Sequence, residues 1–409
     1  MKRIGHRAVL IPLFLVCCLV LSGAETFKVV TYNILNFPDA LGLQRIKYLR
    51  RVLEYIEPDI LVVQEMETED GVELFLDSIL NYSSAQFDAV PFHDGPDTDN
   101  ALFYRKADIE CADAEYLATP NRDIAAYQMR IKNSDIEFYI LSVHFKSSQG
   151  TTNELIRLQE ATVLRSHLDS LPENTDFLIL GDFNIYRSGE AAFEKLTGGS
   201  GEEHGCSFDP LNAWGDWHEN VDFSYLHTQS TRLVELEDGG AGGGIDDRFD
   251  MILCSRGLLD MSGLYLLPES YTIYGNDADH FNKAVNSGFN QSVPEDIAEG
   301  LYYASDHLPV AVNITDVFEQ TPKKEEVKIW PNPMEQEAQI KFPKHDDFKS
   351  ATLILTNILG QRVHSSTVYN PLGTVLKRAR LPVGVYFLHL TIKTKFNEYN
   401  YQTKLAVVE

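Results

Sequence analysis

The stretch FLILGDFN, residues 177–184, decides how the chain folds. An apolar run of strand length closed by glycine reads as a strand buried on both faces, and residues just past such a strand stand at a sheet edge, where ligands bind. Period-two alternation puts Asp182 and Asn184 on one face there and turns Phe183 into the core. A carboxylate beside a carboxamide suits a hard cation, or a phosphate and its attacking water. A lone Asp-x-Asn is more often an Asx turn that merely ends a strand, so the rest of the chain has to decide between the two.

Working outward, the same punctuation recurs. FKVVTYNI carries Asn33, DILVVQEM carries Glu65, EFYILSVHF carries His144, RFDMILC carries Asp250, and Asp306 and His307 lead into HLPVAVNI. Each alone has a plain structural role: Glu65 as a helix N-terminal acid, His144 as a satisfied core histidine, Asp306 as a turn former. As a set of polar residues closing buried strands they point to one site. With ALFYRK these runs are the expected strands, and Leu43–Ile56 and Asn153–Leu171, stopped near Pro58 and Pro172, read as helices between them. Strands that arrive both in pairs and with intervening helices predict an α+β sandwich. EDGGAGGGIDD (237–247) reads as a mobile loop, and 268–300, polar and poor in strand signals, as a long substrate-facing loop.

Composition narrows the class. The opening MKRIGHRAVLIPLFLVCCLVLSGAET predicts a secretory signal peptide over 1–24, too short for a transmembrane helix, and no other stretch is long and apolar enough to span a bilayer. Cys17 lacks the small residue that precedes a lipoprotein anchor. Cys111, Cys206 and Cys254 allow at most one disulfide, so neither a disulfide framework nor a zinc cluster is expected. The net charge is −25, and residues 25–322 hold 52 acidic against 19 basic residues, a net −33. That field argues against a passive nucleic-acid-binding module but not against an acidic enzyme that recruits divalent cations. From 329 to 409 the composition turns mildly basic, and short strands broken by Pro and Gly predict a separate small all-β sandwich after a linker at 321–328.

The motifs TYNIL, VVQEM, LSVHFKS, LILGDFN, RFDMIL and SDHLPV, in that order across about 27–315, resemble the endonuclease/exonuclease/phosphatase superfamily of metal-dependent phosphoesterases. The resemblance implies a four-layer α/β/β/α sandwich over 25–320 with its site on one rim of the paired sheets. It implies Glu65 as the main Mg²⁺ ligand, helped by Asn33 and Asp306, with Mn²⁺ as a substitute and Ca²⁺ left open. It further implies Asp182 holding or deprotonating the attacking water, Asn184 steadying a phosphate oxygen, His307 at the scissile phosphate, and Asp250 fixing the tautomer of His307. His144 matches deoxyribonuclease-like and sphingomyelinase-like members, in which two histidines flank the phosphate. In the deoxyribonuclease pattern a carboxylate orients that histidine; the aligned residue here is Thr98, between Asp97 and Asp99. Lys146 and Arg122 are expected phosphate contacts. The phosphatase hallmark Cys-Asp-Arg-Ile-Leu is replaced by Arg-Phe-Asp-Met-Ile-Leu, which weakens an inositol-phosphate reading.

The tail motifs IWPNP, NILGQRV, LPVGVYFLHL and YQTKLAVVE resemble the C-terminal sorting domain of the Bacteroidetes type IX secretion system, a β-sandwich recognised at the outer membrane. The whole reads as a Mg²⁺-dependent phosphodiesterase, exported through the periplasm and secreted or held at the outer-membrane surface. It is expected to be a nuclease with extracellular DNA or RNA as substrate and the secretion machinery as partner. Two alternatives stay open: a sphingomyelinase-like or sugar- or inositol-phosphate phosphatase of the same fold, and a non-catalytic surface binding module. The presence of Glu65, Asp182 and His307 opposes the second. Oligomeric state is not legible.

Overall fold

The computed structural model describes residues 25–132, 134, 136–198, 204–260, 263–316, 327–343, 348–357, 361–378, 381–395 and 398–408. The expected signal peptide lies outside them, as does all of the expected linker except 327–328. The chain divides into two compact units, Met1–Val317 and Phe318–Glu409.

In the first unit the strands are β1 Thr26–Phe37, β2 Ile60–Met66, β3 Phe87–Ala89, β4 Asp99–Arg105, β5 Ile109–Leu117, β6 Ile124–Ile131, β7 Glu137–His144, β8 Phe177–Asp182, β9 Asp250–Cys254, β10 Leu264–Ile273 and β11 Val310–Asp316. The helices are α1 Gly42–Ile56, α2 Glu69–Phe75, α3 Thr151–Ser170, α4 Ala191–Thr197 and α5 Glu295–Ala304. A six-stranded sheet runs β10-β11-β1-β2-β4-β3 and a five-stranded sheet runs β5-β6-β7-β8-β9. The parallel pairs, β1 with β2 and β7 with β8, are those whose connections carry the long helices α1 and α3, since a parallel return needs a crossover.

Burial sorts these elements into layers. One core joins Val30, Tyr32 and Val62 of the first sheet to Tyr127, Ile140, Leu180 and Ile252 of the second, and takes in Leu49, Val52, Ile297 and Leu301 from α1 and α5. A second core sets Leu164, Leu168 and Phe193 of α3 and α4 against Leu141, Val143, Ile179 and Met251. The alternating faces of β7, β8 and β9 thus feed both cores, which yields the expected helix-sheet-sheet-helix sandwich.

The structure corrects one segment. Residues 268–300 are not a single irregular loop: β10 runs to Ile273 and α5 occupies Glu295–Ala304. Pro268 hid the strand in the sequence, and the fold tolerates it because β10 is an edge strand whose register shifts between Leu267 and Thr272. The glycine-rich 237–247 stretch is irregular as expected, but tied down. Ala241 N donates to Asp306 Oδ2 at 2.8 Å, Gly244 N to Arg232 O at 2.7 Å, and Ser230 Oγ to Ala241 O at 2.6 Å. Cys111, Cys206 and Cys254 are free thiols.

The second unit is all β, as expected: β12 Lys328–Trp330, β13 Glu337–Lys341, β14 Phe348–Asn357, β15 Arg362–Val368, β16 Gly373–Lys377, β17 Gly384–Thr394 and β18 Glu398–Val407. Antiparallel sheets ordered β12-β13-β16 and β15-β14-β17-β18 enclose Met334, Ile340, Leu353, Leu355, Leu376, Leu388 and Leu390.

The glycine in the decisive stretch is required by space. Gly181 has φ +136°, and a Cβ there would lie 2.0 Å from the Val143 carbonyl oxygen on the neighbouring β7. Gly181→Ala is therefore expected to lower stability by about 2 kcal/mol or more, read as a shift of the urea midpoint. An unchanged midpoint would contradict this close approach.

Candidate active site

Chain direction gathers the expected residues on one rim. Asn33, Glu65, His144 and Asp182 lie near the C-terminal ends of β1, β2, β7 and β8, while Asp250 opens β9 and His307 precedes β11, both antiparallel to their neighbours. Asp182 pairs in register with His144 on one side and Asp250 on the other. Glu65 sits at a β-bulge: its φ is +66° and the register against β4 shifts between Gln64 and Met66. Such a bulge re-aims a side chain that strict alternation would leave elsewhere.

Hydrogen bonds tie the set together. Asn33 Nδ2 donates to Glu65 Oε1 at 2.9 Å and to Asp182 Oδ2 at 3.2 Å, while its Oδ1 accepts from Leu35 N. Glu65 Oε2 accepts from Asn36 N at 2.9 Å. His144 Nε2 lies 3.5 Å from Asp182 Oδ2 and 3.7 Å from Glu65 Oε1. His307 Nδ1 is 2.8 Å from Asp250 Oδ2, and its Nε2 is 3.8 Å from Asp182 Oδ2. Asp306 Oδ2 accepts from Gln229 Nε2 at 3.2 Å as well as from Ala241 N.

The Asp-x-Asn stretch forms an Asx turn and stands on the rim as well. Asp182 Oδ1 accepts from Asn184 N at 3.0 Å, which is the Asx turn, and Asn184 is left-handed at φ +51° with its Nδ2 on the Phe145 carbonyl. The strand ends at Asp182, so Asn184 reaches the rim through the turn rather than through period-two alternation. Phe183 is fully buried and packs edge-on against Phe145.

The two expected phosphate contacts stand differently. Lys146 lies two residues past His144 and donates its backbone N–H to Glu160 Oε2 at 2.9 Å. Arg122 pairs with Asp97 at 2.7 Å, yet its Nε and Nη1 are buried with no hydrogen-bond partner. Asp99 accepts from Gly95 N, and Thr98 Oγ1 and His144 Nδ1 are both without a partner, so neither flanking aspartate bonds His144.

Burial dominates the electrostatics. It pushes the Asp182 carboxyl up to about 7; His307 opposes the rise, and Asp250 and Glu65 add to it. Glu65 is raised by burial and then by Asp306. His307 is pulled down by burial, but the charge and hydrogen bond of Asp250, then Asp182 and Asp306, outweigh that and hold it well above the usual imidazole range. Burial, then Arg122, His307 and Lys146, carry His144 well below it. The two histidines are thus shifted in opposite directions, His307 toward its charged form and His144 toward its neutral one.

Carboxylates crowded against one imidazolium leave an excess of negative charge whose oxygen donors fit a hard divalent cation. Glu65 is placed to anchor it, with Asp306 beside; Asn33 turns its Nδ2, not its Oδ1, toward Glu65. Among the described residues no group of three or more His, Cys, Asp or Glu forms a metal cage.

Three supporting residues were not read from the sequence. Gln229 bonds Asp306, Thr228 Oγ1 accepts from Asp250 N at 3.0 Å, and Ser305 Oγ accepts from His307 N at 3.2 Å while donating to Asn33 O at 2.7 Å. Thr228 and Gln229 are single polar residues on an irregular segment and carry no pattern. Ser305, directly before Asp306, was within reach of the SDHLPV motif.

Residues 30–307 match the Endonuclease/Exonuclease/phosphatase family, and residues 328–406 match the Secretion system C-terminal sorting domain. No curated protein matches the chain. Similar solved structures include D. rerio TDP2 complexed with a single-strand DNA product, at 13% identity over 71% of this chain and 99% of that one, with a TM-score of 0.47. A Bacteroides thetaiotaomicron mannosyl-6-phosphatase is similar at 15% identity over 70% and 99%, with a TM-score of 0.45. The human Nocturnin catalytic domain with bound sulfate is similar at 17% identity over 72% and 97%, with a TM-score of 0.43.

The raised carboxyl of Asp182 predicts a pH dependence. Its ordinary value is 3.8 and its folded value about 7, so between the two the folded chain keeps a proton that the unfolded chain releases. Stability of the metal-free protein therefore falls as pH rises through that window. In Asp182→Asn the fall should be shallower, measured by chemical denaturation with chelator present. Parallel losses in wild type and variant would contradict the assignment.

Proposed function

The chain belongs to the endonuclease/exonuclease/phosphatase family, and from that premise we propose that it is a divalent-metal-dependent phosphoesterase acting as a secreted nuclease. The observation that carries the reading is the placement of His307, bonded to Asp250 at 2.8 Å, and of His144 within 3.8 and 3.5 Å of the same Asp182 oxygen. Asp182, bonded by Asn33 and Asn184 N at the end of β8, is placed to take a proton from the attacking water. His307 Nε2, 3.8 Å from Asp182 and 2.6 Å from Gln229 Nε2, meets charge developing on the phosphate once that amide gives way, and Asp250 holds the other nitrogen so that the ring presents that face. Asn184 keeps one amide hydrogen on the Phe145 carbonyl and has a second for a phosphate oxygen. His307, the imidazole favoured in its charged form, gives the proton that the leaving ester oxygen needs and regains one from Asp182, while His144, favoured neutral, accepts a hydrogen bond at the phosphate position. Glu65 and Asp306 would hold a divalent cation, for which we propose Mg²⁺, and when bound it would supply charge neutralisation and polarisation of the phosphate.

Two features favour a nucleic acid over a small ester. Two histidines flank the proposed phosphate position, and the guanidinium of Arg122 keeps buried donors unpaired. The net −33 of residues 25–322 means that such a polyanion is held by few direct contacts, with divalent cations screening the rest. The sorting-domain match supports export through a type IX system to the cell surface or beyond. We assign 1–24 to the signal peptide, 25–320 to catalysis, 321–328 to a linker and 329–409 to sorting.

The test is hydrolysis of DNA and of a small phosphomonoester by the full chain over one Mg²⁺ titration. DNA cleavage is expected to keep rising beyond the Mg²⁺ level that saturates the site, and Glu65→Gln to lose most of the activity while staying folded. Cleavage of the monoester alone would replace the nuclease reading with a phosphatase; cleavage of neither would leave a binding module.

A further inference from the structure

Past His307 the rim continues into a second imidazole-carboxylate pair that the steps above do not use. His218 Nδ1 lies 2.6 Å from Asp247 Oδ1, and His218 Nε2 lies 2.7 Å from Gln149 Nε2. The three residues come from separate segments: the loop leaving β7, the 215–219 stretch, and the approach to β9. Backbone bonds fix them. Trp217 N and His218 N both donate to Tyr186 O at 3.0 and 3.2 Å, Glu219 N to Asp246 O at 2.9 Å, and Gln229 N to Asp247 O at 3.2 Å. Gln229 in turn reaches His307 Nε2 at 2.6 Å, and Tyr186, two residues past Asn184, sets its ring edge-on to His218 at 5.1 Å.

The bonds define the chemistry. With a carboxylate on Nδ1 the hydrogen sits there, Nε2 holds a lone pair, and the Gln149 amide donates to it. His218 is 32% exposed, and Gln149 belongs to an exposed loop, so this last bond exchanges readily for one to a ligand. A hydroxyl is the complementary group, since it donates to Nε2 and accepts from the amide together. A second phosphate is disfavoured there by Asp246, Asp247 and Glu219 around the pair. Asp247 lies close enough to His307 for their charges to interact, which puts the pair beside the phosphate position.

We propose that His218, held by Asp247, and Gln149 form a hydroxyl-binding subsite for the sugar esterified to the scissile phosphate, so that the protein favours hydroxylated over deoxygenated sugar phosphoesters. This rests on the phosphoesterase reading and narrows its substrate class. The hydroxyl can belong to an RNA ribose or to a free sugar phosphate, and the two sources separate experimentally.

The experiment measures kcat/KM of the full chain with Mg²⁺ on matched pairs: an RNA and a DNA oligonucleotide of one sequence, and ribose 5-phosphate with 2-deoxyribose 5-phosphate. Wild type should prefer the hydroxylated member of one pair by about tenfold, and the arm in which it does so names the source. Gln149→Leu and His218→Phe should bring that ratio close to one; Gln149→Leu, on an exposed loop, keeps the test intact if His218→Phe fails to fold. Equal rates on both members in wild type, or variants that slow both members in proportion, would overturn the subsite while leaving the phosphoesterase reading standing. Cleavage of no phosphoester would bring down both.

Discussion

The hydrogen bond between His307 and Asp250 is the contact on which the rim depends. Glu65, Asp182, Asp250 and Asp306 meet there largely buried, and burial is the main cause that pushes the Asp182 and Glu65 carboxyls upward. Charge on His307 is favoured there against the cost of burial because Asp250 bonds its Nδ1 while Asp182 and Asp306 lie close. The remaining charge is met by oriented N–H groups: the Asn33 amide between Glu65 and Asp182, and the backbone donors of Asn36, Asn184 and Ala241. Removing one partner from such a network leaves another buried and unpaired, which is why it acts as a unit.

The fold accepts local strain to assemble this. Glu65 and Asn184 are both left-handed without being glycine, and Gly181 admits the Val143 carbonyl where no side chain fits. These sites fall where β2 and β8 end, so the sandwich core is left regular while the rim carries the irregular geometry.

Much of this was legible in the chain. Strands buried on both faces announce themselves as apolar runs, and the polar residues that close them are the ones the structure brings together. Edge strands are quieter: β5, with its Glu and Asp residues, and β10, with Pro268, carry no clean run because solvent covers one side. Bulges are silent in sequence, so the aim of Glu65 and the turn at Asn184 needed coordinates. The orientation of His144 shows another limit, for no pattern reveals that its Nδ1 goes unpartnered while Asp97 and Asp99 bond elsewhere. The C-terminal unit was readable as an all-β sandwich because β13, β14 and β17 alternate over a single core.

The claim that His307 and Asp250 work as one device is tested most directly by a double-mutant cycle on phosphoester hydrolysis, with His307→Ala, Asp250→Asn and the pair. Each single change is expected to slow the reaction on the order of a hundredfold or more, and the double variant to be little slower than the worse single, because the carboxylate acts through the imidazole. Losses that multiply in the double variant would show two independent groups and contradict the account.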